Sequence, residues 1–242
     1  MKLALMQPYF FPFLGHFDLL NLVDEWIVFD TAQYMRSHWM NRNRILHPAG
    51  GWQYITVPVK KHPTNTPGNK VEIAMEIDWR KRILRMLQHY RNRAPYYREV
   101  MDFVEECFAD VSPNLSETNV RTLEKTRQRL GIVTPIRVLS RMDLQLGSNL
   151  RPGDWGFEIS RALGAREYVN PVGGAVLFDR DRFEKHGIKL SIQNFATMTY
   201  DCRPYRFEPD LSIIDVMMWN QPERIKHYLD TWREALPSGS CG

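Results

Sequence analysis

Residues 2–30 read KLALMQPYFFPFLGHFDLLNLVDEWIVFD, and the fold is decided there. Lys2 to Met6 is an almost uninterrupted apolar run, the pattern of a strand buried on both faces of a parallel sheet. Pro8 and Pro12 forbid a helix until about Phe13. From Gly15 to Val23 the apolar residues Phe17, Leu19, Leu20 and Val23 recur at helix-like spacing. Trp26 to Phe29 is a second short strand, ending in Asp30. Strand, loop, helix and strand in this order make a βαβ unit, which implies a right-handed crossover and a parallel sheet.

The remaining chain extends that reading. Tyr54 to Val59 and Val71 to Ile77 are strand-like, the latter by strict alternation. The Pro- and Asn-rich segment between them reads as an exposed loop. Helices are predicted from Trp79 to about Arg93, Tyr96 to Phe108 and Asn114 to Leu130. Strands follow at Thr134–Leu139, Glu167–Val169 and Lys189–Gln193. Helices are predicted at Trp155–Leu163, Asp179–Lys185, Leu211–Asn220, with Asp210 as its N-cap, and Pro222–Ala235. Gly131 and Gly187 each close a helix and open an apolar strand. The expected fold class is α/β, three-layered, with a mostly parallel, Rossmann-like sheet and a helical insertion. Residues 1–236 form one domain, 79–130 a helical subdomain of it, and 237–242 a disordered tail.

Composition sets the outer limits. The 242 residues are 43% hydrophobic and 25% charged, ordinary for a globular core. No apolar run approaches the roughly 20 residues of a membrane span, and no signal peptide is evident, so a cytoplasmic protein without membrane contact is expected. Three widely spaced cysteines, Cys107, Cys202 and Cys241, suggest neither a zinc site nor a disulfide framework. The seven His lack metal-ligand spacing, so no metal is expected. Lys and Arg exceed Asp and Glu by 32 to 28. The basic residues are dispersed, with local density at Arg36–Arg44 and at Arg80–Arg98, the latter read as a solvated helix face, and a modest excess of this kind suits a small anionic substrate better than nucleic acid.

In open α/β sheets, ligands bind beyond the carboxyl ends of the strands. Gln7, Tyr9, Gly15 and His16 follow the first strand, where a helix N-terminus favours an anion. Asp30, Gln33, Tyr34, His38, Trp39, Asn41, Arg42, Asn43 and Arg44 follow the second. In an extended segment, Asn41 and Asn43 share one face and Arg42 and Arg44 the other. The Arg forks match phosphate or carboxylate. Asn170, Gly173 and Gly174 end the short strand at Tyr168, and the Gly pair suits an anion nest. Asp215, set among apolar residues, needs a polar partner or a function. Cys202, with Arg203 beside it, is a weaker candidate nucleophile.

Two resemblances bear on function. Gly15-His16 at a helix start resembles the HxGH or TxGH motif of nucleotidylyltransferases and class I aminoacyl-tRNA synthetases, although Phe13 stands where His or Thr is usual. The second signature of those enzymes is hinted at only by Leu139-Ser140-Arg141-Met142. More extensive is the resemblance to the WbqC-like family. It rests on Met6-Gln7-Pro8-Tyr9-Phe10-Phe11-Pro12, on Asp30 with Gln33-Tyr34, on Trp39-x-Asn41-Arg42-Asn43-Arg44-Ile45, on Tyr168-x-Asn170-Pro171 with Gly173-Gly174, and on Phe207-x-Pro209-x-Leu211-Ser212-Ile213-Ile214-Asp215. His16 departs from that pattern, which often has an aromatic there.

The family resemblance implies work on an activated sugar in bacterial polysaccharide (O-antigen) or natural-product biosynthesis. The favoured expectation is a transferase forming an amide between an acyl or aminoacyl group and an amino sugar. His16 or Asp30 would be the base, and Asn41, Asn43 or backbone N–H groups would hold the oxyanion. Gln7, Tyr9, Gln33, Arg42, Arg44, Asn170, Gly173, Gly174 and Asp215 would bind substrate. No tightly bound cofactor is expected. The co-substrate is an activated acyl donor, a thioester or aminoacyl compound, with an acyl or peptidyl carrier protein as its macromolecular form. The alternatives are a HIGH-type nucleotidyltransferase using a nucleoside triphosphate and Mg²⁺, and a non-catalytic scaffold of a biosynthetic cluster.

Overall fold

Leu3 and Leu5 point to one side of the sheet and Ala4 to the other, and each side carries its own core. The computed structural model describes residues 1–234. Strand β1 (Lys2–Met6) leads through helix α1 (Leu14–Leu22) to β2 (Glu25–Val28), as the opening stretch predicts. A two-stranded antiparallel hairpin follows, β3 (Arg42–Leu46) and β4 (Trp52–Thr56). Helices α2 (Trp79–Met86), α3 (Tyr97–Ala109) and α4 (Leu115–Arg129) come next. The sheet resumes with β5 (Ile136–Val138), α5 (Asp154–Ala162), β6 (Glu167–Pro171), α6 (Arg180–Lys185) and β7 (Lys189–Gln193). Helices α7 (Ile213–Trp219) and α8 (Pro222–Thr231) finish the described chain.

The main sheet runs β5-β2-β1-β6-β7, parallel throughout. Counted by sheet strands alone, this is the order 3-2-1-4-5 of a doubly wound, Rossmann-like sheet. From β1 the chain builds outward through β2 to β5, then returns to the other side of β1 for β6 and β7. Right-handed crossovers in opposite directions put their helices on opposite faces. Accordingly α1 covers Ala4, Trp26 and Val28, whereas α5 and α6 cover Leu3, Leu5 and Ile27 through Phe157, Ile159 and Phe183. The 79–130 segment is helical as expected, and its Trp79, Leu87, Phe103, Val104 and Leu123 share the α1-side core.

Several boundaries differ from expectation for local reasons. Val71–Ile77 is not a strand, because its alternation finds only single bridges, Val59 to Ile73 and Glu72 to Asn114. The first predicted helix after the hairpin tightens at Leu87 into a 3₁₀ turn. Ser212, not Asp210, caps α7, its hydroxyl accepting from the Ile214 N–H, while Asp210 sits at φ 55°. Gly131 and Gly187 are left-handed at φ 67° and 69°, which explains both helix-to-strand joints. The end of the last predicted helix and the 237–242 tail lie outside the described residues.

Candidate functional site

The β1–β6 ladder stops at Leu3 and Tyr168, although β1 runs on to Met6 and β6 to Pro171. On either side the ladders continue, to Val28 in β2 and Gln193 in β7. β1 and β6 are therefore unpaired with each other at their carboxyl ends. This is the place where the winding direction reverses and where doubly wound sheets take ligands. Gln7 and Tyr9 leave one side of it, and Asn170, Gly173 and Gly174 the other.

The loop after β1 is held from below. Asn43 donates to the carbonyls of Phe10 and Phe11, at 3.1 and 2.9 Å. Asn119, on α4, donates to those of Pro8 and Met40, at 2.8 and 2.7 Å. Phe11 takes φ 39°, a strained conformation costing about 1–2 kcal/mol. Its ring is fully buried, which at about 1.5–3 kcal/mol offsets that strain. Phe10 and Phe11 are thus core residues, packed on Trp79 and Phe108. Gly15 does not open onto a ligand: a Cβ there would meet the rings of Phe13 and Phe195.

His16 sits in the first turn of α1 and is 2% exposed. The rings of Trp26 and Tyr9 lie 4.8 and 5.4 Å away. Burial pushes its imidazole down to about 3, so the ring is neutral. Neither ring nitrogen finds a hydrogen-bond partner among the described residues. Asp30 is 2% exposed, and its carboxylate accepts from the Ser140 N–H at 3.0 Å and from the Ser140 hydroxyl. It joins the end of β2 to the end of β5 and is already engaged. Ser140 belongs to the segment read as a weak second nucleotidyltransferase signature; here it fixes Asp30.

The Asn-Arg-Asn-Arg alternation divides as expected. Asn41 and Asn43 are buried, while Arg42 and Arg44 point outward and are half-buried. Arg42 stacks on Tyr54 at 3.9 Å, and Arg44 lies 5.6 Å from Trp39 and 5.2 Å from Trp52. Neither guanidinium has a carboxylate partner among the described residues; Arg44 donates to the Asp210 carbonyl at 3.1 Å. The strip continues toward β1: Trp39 and His38 are 6.3 Å apart, and His38 and Tyr9 5.7 Å. Burial and the Arg42 charge hold His38 below the ordinary imidazole value. His38 belongs to the polar cluster that follows the second strand, but its position against Tyr9 comes only with the fold.

Other expected residues are structurally committed. Asn43 spends both amide N–H donors on Phe10 and Phe11, and Asn41, buried, donates to the Val57 carbonyl at 3.1 Å. Gln33 donates to the Thr64 carbonyl at 2.9 Å and fastens the 60–67 loop. Asp215 is fully enclosed and accepts from Tyr90, from Tyr200 at 2.9 Å and from the Leu46 N–H at 3.2 Å. Desolvation raises its carboxyl to about 6. This network supplies the partner that Asp215 needs and keeps it from substrate. Asn170 is buried and donates to the Pro171 carbonyl at 2.8 Å; Gly174 lies against its amide, and only Gly173 has open space beside it. Cys202 is buried, and desolvation with nearby Asp215 and Asp201 raises its thiol to about 11, the reverse of activation. No cluster of three or more potential metal-ligating side chains occurs among the described residues. Nor is any described helix long and apolar enough to cross a membrane.

A doubly wound α/β protein with an arginine–aromatic strip beside its switch point is the class these features define. The chain belongs to the WbqC-like protein family, whose model matches residues 7–227. It is also 30% identical to an uncharacterized protein of Mycobacterium tuberculosis (strain ATCC 25618 / H37Rv) over 225 residues, covering 89% of this chain and 92% of that one. No solved structure matches it.

Proposed function

We propose that this protein binds a nucleotide-linked amino sugar along the strip and transfers an acyl or aminoacyl group to its amine. One observation carries the reading. Arg42 and Arg44, without carboxylate partners among the described residues, are held on aromatic faces, and the strip reaches Tyr9 in the loop after β1 through Trp39 and His38. Guanidinium forks suit a diphosphate, and the rings offer flat apolar faces to a sugar or base. The activated donor is a thioester or aminoacyl compound, and no resident cofactor is invoked. In the transfer step the amine nitrogen attacks the thioester carbonyl carbon. The C–N bond forms, the C–S bond breaks, and the amine proton passes through a base to the departing thiolate. His38, neutral and half-buried against Tyr9, is the base. It replaces the buried His16 and the engaged Asp30 in that role. Backbone N–H groups of the Gly173-Gly174 turn take the oxyanion role in place of the buried Asn41 and Asn43.

Nucleotidyl transfer is the rival reading, favoured by Gly15-His16 at the start of α1. It needs His16 to reach a phosphate, and the imidazole is enclosed between Trp26 and Tyr9 at 2% exposure. Thermal shift separates the readings. Ligand at about 100 times its Kd adds roughly 2.7 kcal/mol, several degrees of Tm. A nucleotide amino sugar is expected to shift the wild type without Mg²⁺, and Arg42→Lys to shrink that shift because a point charge replaces the fork. A shift with nucleoside triphosphate and Mg²⁺ alone overturns acyl transfer. Silence across both ligand classes leaves a scaffold.

A further inference from the structure

Residues 79–98 carry Lys81 and six arginines, Arg80, Arg82, Arg85, Arg91, Arg93 and Arg98, and no carboxylate at all. Removing those seven from the 32 Lys and Arg leaves 25 cations against 28 carboxylates, so the positive excess of the whole chain resides in this one stretch. The structure leaves these cations on the outside. Trp79, Ile83, Leu87 and Tyr90 turn into the core, which leaves the cations outside. All but Arg80 are exposed. Tyr97 donates to Gln88 at 2.9 Å and ties the start of α3 to the 3₁₀ turn that follows α2.

Lys81 pairs locally with Asp78 at 2.9 Å, but none of the six arginines has an ion-pair partner among the described residues. A solvated helix face typically interleaves opposite charges; this one does not. Beside it lies a surface depression of about 280 Å³ formed by Met75, Glu76, Asp78, Arg80, Lys81 and Leu84. Met75 and Ile77 are 39% and 48% exposed. Arginine with exposed Met and Ile is the composition of a protein-binding surface. The aromatic rings of the stretch are buried or half-buried, so it offers no stacking platform for single-stranded nucleic acid. Helix α2 packs on β4 of the hairpin that carries Arg42 and Arg44.

We infer that the 79–98 surface docks an acidic carrier protein bearing the acyl group as a thioester. This rests on the acyl-transfer reading and names the form in which the donor arrives. The test measures binding of the full chain to a phosphopantetheine-bearing acyl carrier protein at low and high salt. A single-stranded oligonucleotide and vesicles of anionic phospholipid serve as competing probes. The carrier is expected to bind the wild type, to weaken tenfold or more in the triple variant Arg82→Glu, Arg85→Glu, Arg91→Glu, and to weaken as salt screens the charges. The corresponding triple Lys variant is expected to retain binding, which guards against a merely misfolded charge reversal. The Glu variant keeps the thermal shift with a nucleotide amino sugar. Equal carrier affinity in wild type and Glu variant overturns the inference, as does absence of carrier binding at low salt. Tighter binding of oligonucleotide or vesicles through the same arginines also overturns it. Loss of the carrier with the amino-sugar shift intact removes this inference alone. Carrier binding without any amino-sugar shift removes the acceptor reading instead.

Discussion

His16 and Asp215 are both buried titratable groups, and their effects on stability oppose each other. The imidazole falls from 6.5 to about 3 on folding. Its contribution to stability is present above pH 6.5 and is lost as pH falls toward 3. The Asp215 carboxyl rises from 3.8 to about 6. Its contribution is present below pH 3.8 and is lost as pH rises through 6. Between about pH 4 and 6 each group is worth one proton of linkage, roughly 1.4 kcal/mol per pH unit, with opposite sign. In the wild type the two slopes cancel. His16→Phe, which suits a pocket walled by Trp26 and Tyr9, is expected to uncover the Asp215 slope. The stability of the variant relative to wild type should rise by about 1.4 kcal/mol for each unit of acidification from pH 6 to 4. Parallel denaturation curves across that range would show that His16 is not held neutral. Sequence marked both residues, but not their environments. Asp215 lies 125 positions from Tyr90 and 169 from Leu46, so nothing local announces its partners.

At the scale of elements, the loop after β6 separates two glycines that sequence treats alike. A Cβ on Gly173 meets nothing within 4 Å, whereas one on Gly174 runs into the Asn170 amide. Gly173→Ala is expected to stay within about 0.5 kcal/mol of wild type, as surface changes usually do. Gly174→Ala should cost about 1–3 kcal/mol, because Asn170 must leave its place. Urea midpoints compare the pair directly, and equal midpoints would mean that Asn170 moves freely. The hairpin was legible to a different degree. The period-two rule sorted Asn41 and Asn43 from Arg42 and Arg44 correctly, because alternation follows from strand geometry alone. What each face touches did not follow. Asn43 clamps a loop 32 positions earlier, and Asn119, which shares that task from α4, carried no signal at all. An Asn within an amphipathic helix reads as surface until the chain is folded around it.

At the scale of the molecule, the C-terminal helix is tied to the first one through a single buried carboxylate. Asp18, fully buried in α1, accepts from Gln193 at 2.6 Å, from the Trp232 indole at 2.7 Å and from Arg233. Removing two of these partners leaves a charge enclosed and poorly compensated. The double variant Trp232→Phe, Arg233→Ala should therefore lose about 3–5 kcal/mol. Asp18→Asn added to that pair should recover part of the loss. A loss under about 0.5 kcal/mol would mean that the clasp opens to water.

The sequence by itself determined that this chain is a three-layer α/β protein with a parallel sheet. Strand burial, helix periodicity, prolines and glycine caps act within a few residues, and right-handed crossover limits how such units join. It also fixed which faces of β3 point inward and where the family's motifs stand. Only the tertiary structure decided which motif residues remain accessible. Packing closed over His16, Asp30, Asn43 and Asp215, and it left Tyr9, His38, Arg42 and Arg44 along one strip. The physical reason is that a polar side chain's role depends on which distant carbonyl, hydroxyl or ring reaches it first. Those partners lie tens to hundreds of positions away in the chain.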